Sequence, residues 1–170
     1  MAPLNPGDKF PSDVVLDWVP IKNQDPTLAG TPQDYNASSE WKGKRVVLVS
    51  VPGAFTPSCQ AYHLPPYIEQ LDILKDHGVD QVAIIASNDG WVMSAWGKIN
   101  RIEVRFSKKH GWDAEMANRN ERWAMVIDKD GTVKYAEKEE DPTRITVSGV
   151  EAVLSGLTKS KEHLGRLSSN

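Results

Sequence analysis

The sequence has little of three things: cysteine, long apolar runs and net charge of either sign. Its 170 residues include one cysteine, which excludes an internal disulfide framework and fits a reducing compartment. No apolar run approaches the roughly 20 residues that a membrane-spanning helix needs. The formal net charge of -3, with both signs interspersed, provides no basic surface for nucleic acid or anionic lipid. We therefore expect neither a nucleic-acid partner nor a membrane partner.

Length and composition predict one globular domain. A hydrophobic fraction of 39% and a charged fraction of 25% are ordinary for a soluble domain of this size. We expect a single domain over residues 1–170, with a core at about 5–157 and a polar tail at 158–170. The start, MAPLNPGDKFPSD, has neither the basic flank nor the apolar block of a secretory signal, which favours a cytoplasmic location.

Hydrophobic patterns predict alternating strands and helices after a turn-rich lead-in. The β-branched runs at 46–51 and 82–86 are typical of strands buried on both faces. Between them, residues 58–77 carry apolar residues at helical spacing, with a kink expected at Pro65-Pro66 because proline lacks an amide donor. In chain order, the remaining predicted elements are a helix at 90–98, a short helix at 106–112, a hairpin at 123–135 and a helix at 147–157. This order is compatible with a thioredoxin-like α/β fold, a mixed central sheet with helices on both faces.

The single thiol, Cys59, lies in the segment VPGAFTPSCQAY, where the first buried strand ends and a helix begins. Free amide donors and the positive end of the helix dipole stabilise a thiolate at such a position. Thr56, one turn earlier, offers a hydroxyl that can donate to an incoming oxygen and accept from its proton. Pro52 and Phe55 can shield the pocket from water. The segment therefore predicts a reactive cysteine.

A reactive cysteine site also needs a positive charge that stabilises the transition state. Thiolate formation alone is worth about 2 kcal/mol, so an efficient cysteine enzyme must also stabilise charge in the transition state. Arg122 directly precedes the predicted strand at 123–127 and is well placed if that strand lies beside the first. A guanidinium favours the thiolate and follows charge onto a departing oxygen without changing its own protonation.

His63 leaves two interpretations open. It lies four residues after Cys59 on the same helical face, so a thiol–imidazole pair of the kind used by cysteine hydrolases is one interpretation. Support of the pocket or of a subunit contact is the other, and we favour it.

Other features have structural interpretations. Trp91 and Trp96, on one predicted helix, are candidates for a dimer surface. The acidic run KEEDP at 138–142 is typical of a solvated loop. His77, His110 and His163 have no spacing that resembles a metal site, so we expect no zinc.

The stretch VPGAFTPSCQAYHLPPYIEQL resembles the active-site segment of peroxiredoxins, specifically the type-five subfamily with its fungal peroxisomal and allergen-like members. The pattern Pro52-x-x-x-Thr56-x-x-Cys59 is specific, and GVDQVAIIASND, WVMSAWGK, RFSKKHGW and RWAMVIDKDG follow in the family's order. The resemblance implies reduction of hydrogen peroxide or an alkyl hydroperoxide without metal, haem or flavin. It implies that Cys59 is the peroxidatic nucleophile, that Pro52 and Thr56 are pocket residues, and that Arg122 is the catalytic arginine.

The resemblance and the single cysteine together imply a one-cysteine cycle. Some relatives carry a resolving cysteine in the early loop, which here reads TLAGTPQDYNAS. An external thiol, from glutathione, glutaredoxin or thioredoxin, would then reduce the sulfenic acid. The family also implies a homodimer and includes peroxisomal members, although the ending RLSSN does not match the usual peroxisomal tripeptide. The competing class is a redox-sensing binding module on the same fold.

One segment departs from the family pattern. Only six residues, 99–104, separate WGK from RFS, where the family has a longer connection with another strand. We expect a shortened or missing edge strand, with 102–104 as its remnant, and a region that is displaced or exchanged between subunits.

Overall fold

The computed structural model describes residues 4–102, 105–107 and 119–167, and describes side chains at all of these except 105–107 and 160–167. The strands in these ranges are β1 (Val15–Trp18), β2 (Gln33–Asn36), β3 (Val46–Ser50), β4 (Gln81–Ala86), β5 (Arg105–Ser107), β6 (Trp123–Ile127) and β7 (Val133–Lys138). The helices are α1 (Ala37–Glu40), a π-helical segment (Cys59–His63), α2 (Leu64–Glu69), α3 (Leu71–Asp76), α4 (Gly90–Ile99) and α5 (Val150–Leu167). No helix in the described ranges is both long enough and apolar enough to cross a membrane.

The described strands form one mixed sheet in the order β2-β1-β5-β4-β3-β6-β7. β3 is buried at every position and lies between β4, to which it is parallel, and β6, to which it is antiparallel. Trp123 pairs with Ser50 in that antiparallel register. The condition under which the sequence placed Arg122 near the site, that its strand lies beside the first buried strand, is thus met.

Alternation along β3 separates two hydrophobic clusters, one on each face of the sheet. Val47 and Val49 join the cluster that α2, α4 and α5 cover, which also contains Cys59. Val46 and Leu48 join the cluster on the opposite face, which contains residues of β1 and α1. The prediction of a mixed central sheet with helices on both faces is confirmed.

The predicted helix at 58–77 is divided. The amide of Leu64 donates to the carbonyl of Cys59, five residues earlier, which is the π-helical pattern. Pro65 and Pro66 follow in the first turn of α2. Amides of the first turn have no acceptor within the helix, so proline, which lacks the amide hydrogen, costs no hydrogen bond of α2 there. The irregularity expected at the two prolines therefore takes the form of a π turn that begins at Cys59.

The prediction of a helix at 106–112 is wrong at its start, and residues 108–112 lie outside the described ranges. β5 is parallel to β4 and antiparallel to β1, so it lies inside the sheet rather than at its edge. Pairing on both sides outweighs the local pattern of so short a segment. The expected displacement or exchange of the region at 99–104 stays a prediction; β5, which directly follows that region, pairs within the sheet of its own chain. Of the supposed remnant at 102–104, only Ile102 is described.

The last helix is longer than expected. Val150, Val153 and Leu157 are buried on its inner face, as the amphipathic pattern predicted. The helix then continues beyond residue 157 to Leu167, through residues that the sequence suggested would be a frayed polar tail.

Candidate active site

Cys59 is fully buried, with 0% of its surface exposed, and begins the π-helical segment that follows β3 in the chain. The helical stretch begins at Pro57, and the amide of Gln60 donates to the carbonyl of Thr56 at 2.9 Å. Cys59 therefore lies in the first turn of the stretch, where backbone amides lack partners within the helix. The predicted strand-to-helix position of the thiol is confirmed.

The loop before Cys59 is held by hydrogen bonds. The Thr56 hydroxyl donates to the carbonyl of Gly53 at 2.8 Å, which leaves its oxygen free to accept a further hydrogen bond. The amide of Ala54 donates to the side chain of Asn88 at 2.8 Å, and the Ser87 hydroxyl lies 3.4 Å from the carbonyl oxygen of Pro52. These contacts fix Pro52 and Thr56 against the end of β4.

Phe55 has a φ of 59°, in the left-handed region that non-glycine residues rarely occupy. Such a conformation costs on the order of 1 kcal/mol and persists only where the surrounding contacts maintain it. Its ring is 48% exposed, with the centroid 6.4 Å from that of Trp96. The strained residue lies directly before Thr56, so the loop that carries the hydroxyl has a defined shape.

Arg122 is buried, with 3% exposure, directly before β6. Its Nε donates to the carbonyl of Pro142 at 2.8 Å, and its Nη1 donates to Nδ1 of His63 at 2.8 Å. Both acceptors are neutral, so the guanidinium keeps its charge. Because His63 ends the π-helical segment that Cys59 begins, the structure joins Arg122 to the segment that carries the thiol.

His63 is a neutral acceptor for Arg122. Arginine only donates, so Nδ1 accepts, and Nε2 carries the proton and donates to the carbonyl of Ser148 at 2.9 Å. Burial lowers the pKa of His63 to about 4; the hydrogen bond to Ser148 opposes this effect and the charge of Arg122 adds to it. Both ring nitrogens are occupied, so a thiol–imidazole pair with Cys59 is wrong. The alternative, that His63 supports the pocket or a subunit contact, stays a prediction, and the contact with Arg122 favours support of the pocket.

The segment at 138–142 is not a fully solvated loop, as its acidic composition suggested. Glu139 is 5% exposed and accepts hydrogen bonds from Thr146 and Ser148. Sequence reasoning missed Glu139 and Ser148 because two adjacent glutamates in an acidic run give no signal of which one is buried. The pairing of hydroxyl residues with a carboxylate seven and nine positions away became visible only in the folded chain.

The two tryptophans of α4 have different environments. Trp96 is 0% exposed and donates from Nε1 to the side chain of Gln60, so it belongs to the core and the prediction of a surface role is wrong for it. Trp91 is 51% exposed and donates to the carbonyl of Gly30. Only Trp91 remains a candidate for a subunit contact.

Comparisons with known proteins identify the family of the chain. The Redoxin family model matches residues 5–154. The chain is 46% identical over 169 residues to peroxiredoxin AHP1 of Chaetomium thermophilum, covering 92% of this chain and 96% of that protein. It is 38% identical over 168 residues to a protein of Lipomyces kononenkoae named as a peroxisomal peroxiredoxin, covering 88% of this chain and 99% of that protein. The crystal structure of peroxiredoxin 5 from Alvinella pompejana superposes with a TM-score of 0.70 at 28% identity, covering 92% of this chain and 99% of that one.

A thioredoxin-like sheet that presents a buried thiol at a helix start, together with these relatives, defines a thiol-dependent peroxidase. The chain belongs to the Redoxin family and is a peroxiredoxin. The sequence predictions of family, fold class and enzymatic activity are confirmed. Peroxiredoxins act on peroxides and are reduced by thiols.

Proposed function

We propose that Cys59 is the peroxidatic nucleophile of a one-cysteine cycle, with Thr56 and Pro52 as pocket residues and Arg122 as the catalytic arginine. The observation that carries this proposal is the hydrogen bond between Arg122 and His63, which ties a buried cation to the helical segment that Cys59 begins. Both neutral partners of Arg122 leave its charge available to the sulfur.

The reaction breaks one oxygen–oxygen bond and forms one sulfur–oxygen bond. The Cys59 thiolate attacks the nearer peroxide oxygen, and the other oxygen leaves with the bonding electron pair and takes a proton, giving water or an alcohol. Cys59 becomes a sulfenic acid. Arg122 stabilises the thiolate and the charge that moves onto the leaving oxygen, while Thr56 and backbone amides orient the peroxide.

Small peroxides suit this site best. Because Cys59 has no exposed surface, a substrate must pass between the surrounding side chains to reach the sulfur. Hydrogen peroxide and short alkyl hydroperoxides meet this requirement, and bulky lipid hydroperoxides do not. We propose hydrogen peroxide as the preferred substrate.

The reductant is an external thiol, since the chain contains one cysteine. That thiol attacks the sulfenic sulfur, releases water and forms a mixed disulfide, which a second thiol then reduces. Glutathione, glutaredoxin and thioredoxin are the candidates. Direct pairing of two Cys59 residues is disfavoured, because each sulfur is buried and a disulfide needs its Cβ atoms about 4 Å apart.

Turnover with hydrogen peroxide and each reductant tests this cycle. We expect one or more of the three reductants to sustain turnover, and mass spectrometry to show one sulfenic acid per chain after a single turnover. Cys59→Ser is expected to be inactive, and full activity of that variant contradicts the mechanism. A thiol that peroxide oxidises slowly, with no reductant sustaining turnover, supports the redox-sensing module instead.

We also propose a homodimer. Leu28 and Trp91 are 52% and 51% exposed and line the same surface pocket, an apolar area that supports a subunit contact. Sedimentation velocity tests this, and a monomer at micromolar concentration contradicts it.

The cytoplasm is the proposed location, in line with a single free thiol. Fluorescence microscopy of an amino-terminally tagged chain tests this. Because a relative is named as a peroxisomal peroxiredoxin, peroxisomal puncta are the outcome that contradicts the proposal.

A further inference from the structure

Glu139 is a buried carboxylate outside the set of proposed catalytic residues. It lies directly after β7, which ends at Lys138, and 5% of its surface is exposed. Its backbone amide donates to the carbonyl of Arg122 at 2.9 Å. The backbone of Glu139 is therefore fixed to the residue whose guanidinium we assign to catalysis.

The Glu139 carboxylate closes the loop at 139–148. Its Oε1 accepts from the amide of Thr146 at 2.6 Å and from the amide and hydroxyl of Ser148 at 2.8 Å each. Its Oε2 accepts from the Thr146 hydroxyl at 2.6 Å. Burial raises the pKa of Glu139, but these hydrogen bonds together outweigh burial and hold it below the usual value. The group is therefore an ionised acceptor of four hydrogen bonds at neutral pH.

Two carbonyl groups of this loop determine the position of Arg122. The carbonyl of Pro142 accepts directly from Nε of Arg122. The carbonyl of Ser148 accepts from Nε2 of His63, which leaves Nδ1 of His63 to accept from Arg122. The Tyr67 hydroxyl donates to the same Ser148 carbonyl at 2.7 Å, which adds a second constraint on it.

We propose that Glu139 is a positioning residue of the peroxidase: its carboxylate holds the 139–148 loop so that Pro142 and Ser148 orient the Arg122 guanidinium, Ser148 acting through His63. The proposal rests on the proposed role of Arg122 in catalysis.

This arrangement orients a cation without neutralising it. A carboxylate bound directly to Arg122 would form an ion pair and reduce the field at the sulfur. Here the carboxylate binds the loop, and the acceptors of the guanidinium among the described residues are a carbonyl and a neutral imidazole. Neither of these two partners offsets the charge of Arg122, and the residue is only 3% exposed.

Three variants of Glu139 and one control test the proposal. Glu139→Ala removes every hydrogen bond from the carboxylate to the loop. Glu139→Gln retains an acceptor oxygen on a side chain of the same length. Glu139→Asp keeps the charge on a shorter side chain. Glu140→Ala is the matched control, because Glu140 is the exposed neighbour. Thermal unfolding by circular dichroism establishes which variants fold.

The readout is the rate of Cys59 oxidation by hydrogen peroxide, compared with its rate of alkylation by iodoacetamide. Both reactions need an accessible thiolate, but alkylation expels iodide and develops no charge on an oxygen. We expect Glu139→Ala to slow oxidation by about tenfold and alkylation by less than about twofold. Glu139→Gln is expected to recover oxidation to within about threefold of the wild type, and Glu140→Ala to leave both rates unchanged.

A double-mutant cycle with Arg122→Lys shows whether Glu139 acts through the arginine. We expect Glu139→Ala to add less than about twofold to the loss already caused by Arg122→Lys. If Glu139→Ala does not fold, Glu139→Asp replaces it in the double-mutant cycle. The positioning role is wrong if the two substitutions slow oxidation independently, so that their effects on the rate multiply. It is also wrong if Glu139→Ala slows oxidation and alkylation equally.

The proposed function and this inference fail in different ways. If Arg122→Lys oxidises at the wild-type rate, the catalytic role of Arg122 is wrong. If Arg122→Lys is slow and the folded Glu139 variants match the wild type, the catalytic role stands and only the role of Glu139 is wrong.

Discussion

Nη1 of Arg122 donates a hydrogen bond to Nδ1 of His63 at 2.8 Å, although 59 positions separate the two residues in the chain. Because arginine donates at every accessible pH, this contact determines which nitrogen of the imidazole accepts. The proton of His63 then lies on Nε2, where the carbonyl of Ser148 accepts it. One contact therefore sets the tautomer of the histidine and joins β6 to the segment that carries Cys59.

The hydrogen bonds from the Arg122 side chain to Pro142 and His63 predict that lysine cannot replace it. Arg122→Lys keeps the charge, but one ammonium group does not reproduce the fork that reaches Pro142 from Nε and His63 from Nη1. We expect stopped-flow measurements to show Cys59 oxidation slowed by about 10- to 100-fold. Arg144→Lys, at a residue whose side chain is 75% exposed, is the control and should match the wild type.

The Thr56 hydroxyl predicts a difference between two small substitutions. Thr56→Val keeps the shape of the side chain but loses the donor to Gly53 and the acceptor for a peroxide, so oxidation is expected to slow by about tenfold or more. Thr56→Ser keeps both functions and should stay within about threefold of the wild type. Equal rates for valine and serine would remove the hydroxyl from the mechanism.

The buried neutral His63 predicts that stability falls as the pH is lowered from 7 to 5. The unfolded imidazole, with a pKa near 6.5, binds a proton in this range, whereas burial lowers the pKa of His63 in the folded chain to about 4. The unfolded state binds more protons, so this group lowers the free energy of unfolding by about 2 kcal/mol at pH 5 relative to pH 7. Urea unfolding at both pH values measures the loss.

His63→Gln serves as the comparison for that prediction, because glutamine does not titrate. We expect this variant to lose less stability between pH 7 and pH 5 than the wild type does. His77→Gln, at a partly exposed histidine, should retain the wild-type difference. Identical losses in the wild type and His63→Gln would mean that His63 is not the responsible group.

The environment of Trp96 predicts which indole reports oxidation. Trp96 shares a hydrophobic cluster with Cys59, and its Nε1 donates to the side chain of Gln60, the residue directly after Cys59. Trp96→Phe should therefore lose most of the fluorescence change that accompanies oxidation by peroxide. Trp91→Phe, at a half-exposed residue, should keep it, and the reverse result contradicts the assignment.

Much of the site could be predicted because it depends on local patterns. The apolar run that ends at Val51 predicts a strand, and the Pro57 that follows Thr56 suits the first position of a helix, so Cys59 falls at the junction. The Asp130-Gly131 turn predicts the hairpin that carries Arg122 at its start. β5 could not be predicted, because three residues carry too little periodicity and its strand conformation comes from pairing with β1 and β4.

The sequence by itself determined that one thiol is present, that it lies at a strand-to-helix junction, and that no second cysteine of the chain can pair with it, since these follow from residue identity and neighbouring order. Only the tertiary structure decided that Glu139, Ser148 and His63 together orient Arg122. His63 and Ser148 lie 85 positions apart, and Arg122 and Pro142 lie 20 apart. Such pairs have no common local pattern. The buried side chains of His63 and Arg122 have hydrogen bonds to these distant carbonyls because folding removes the side chains from water, and a buried polar group without a partner is costly.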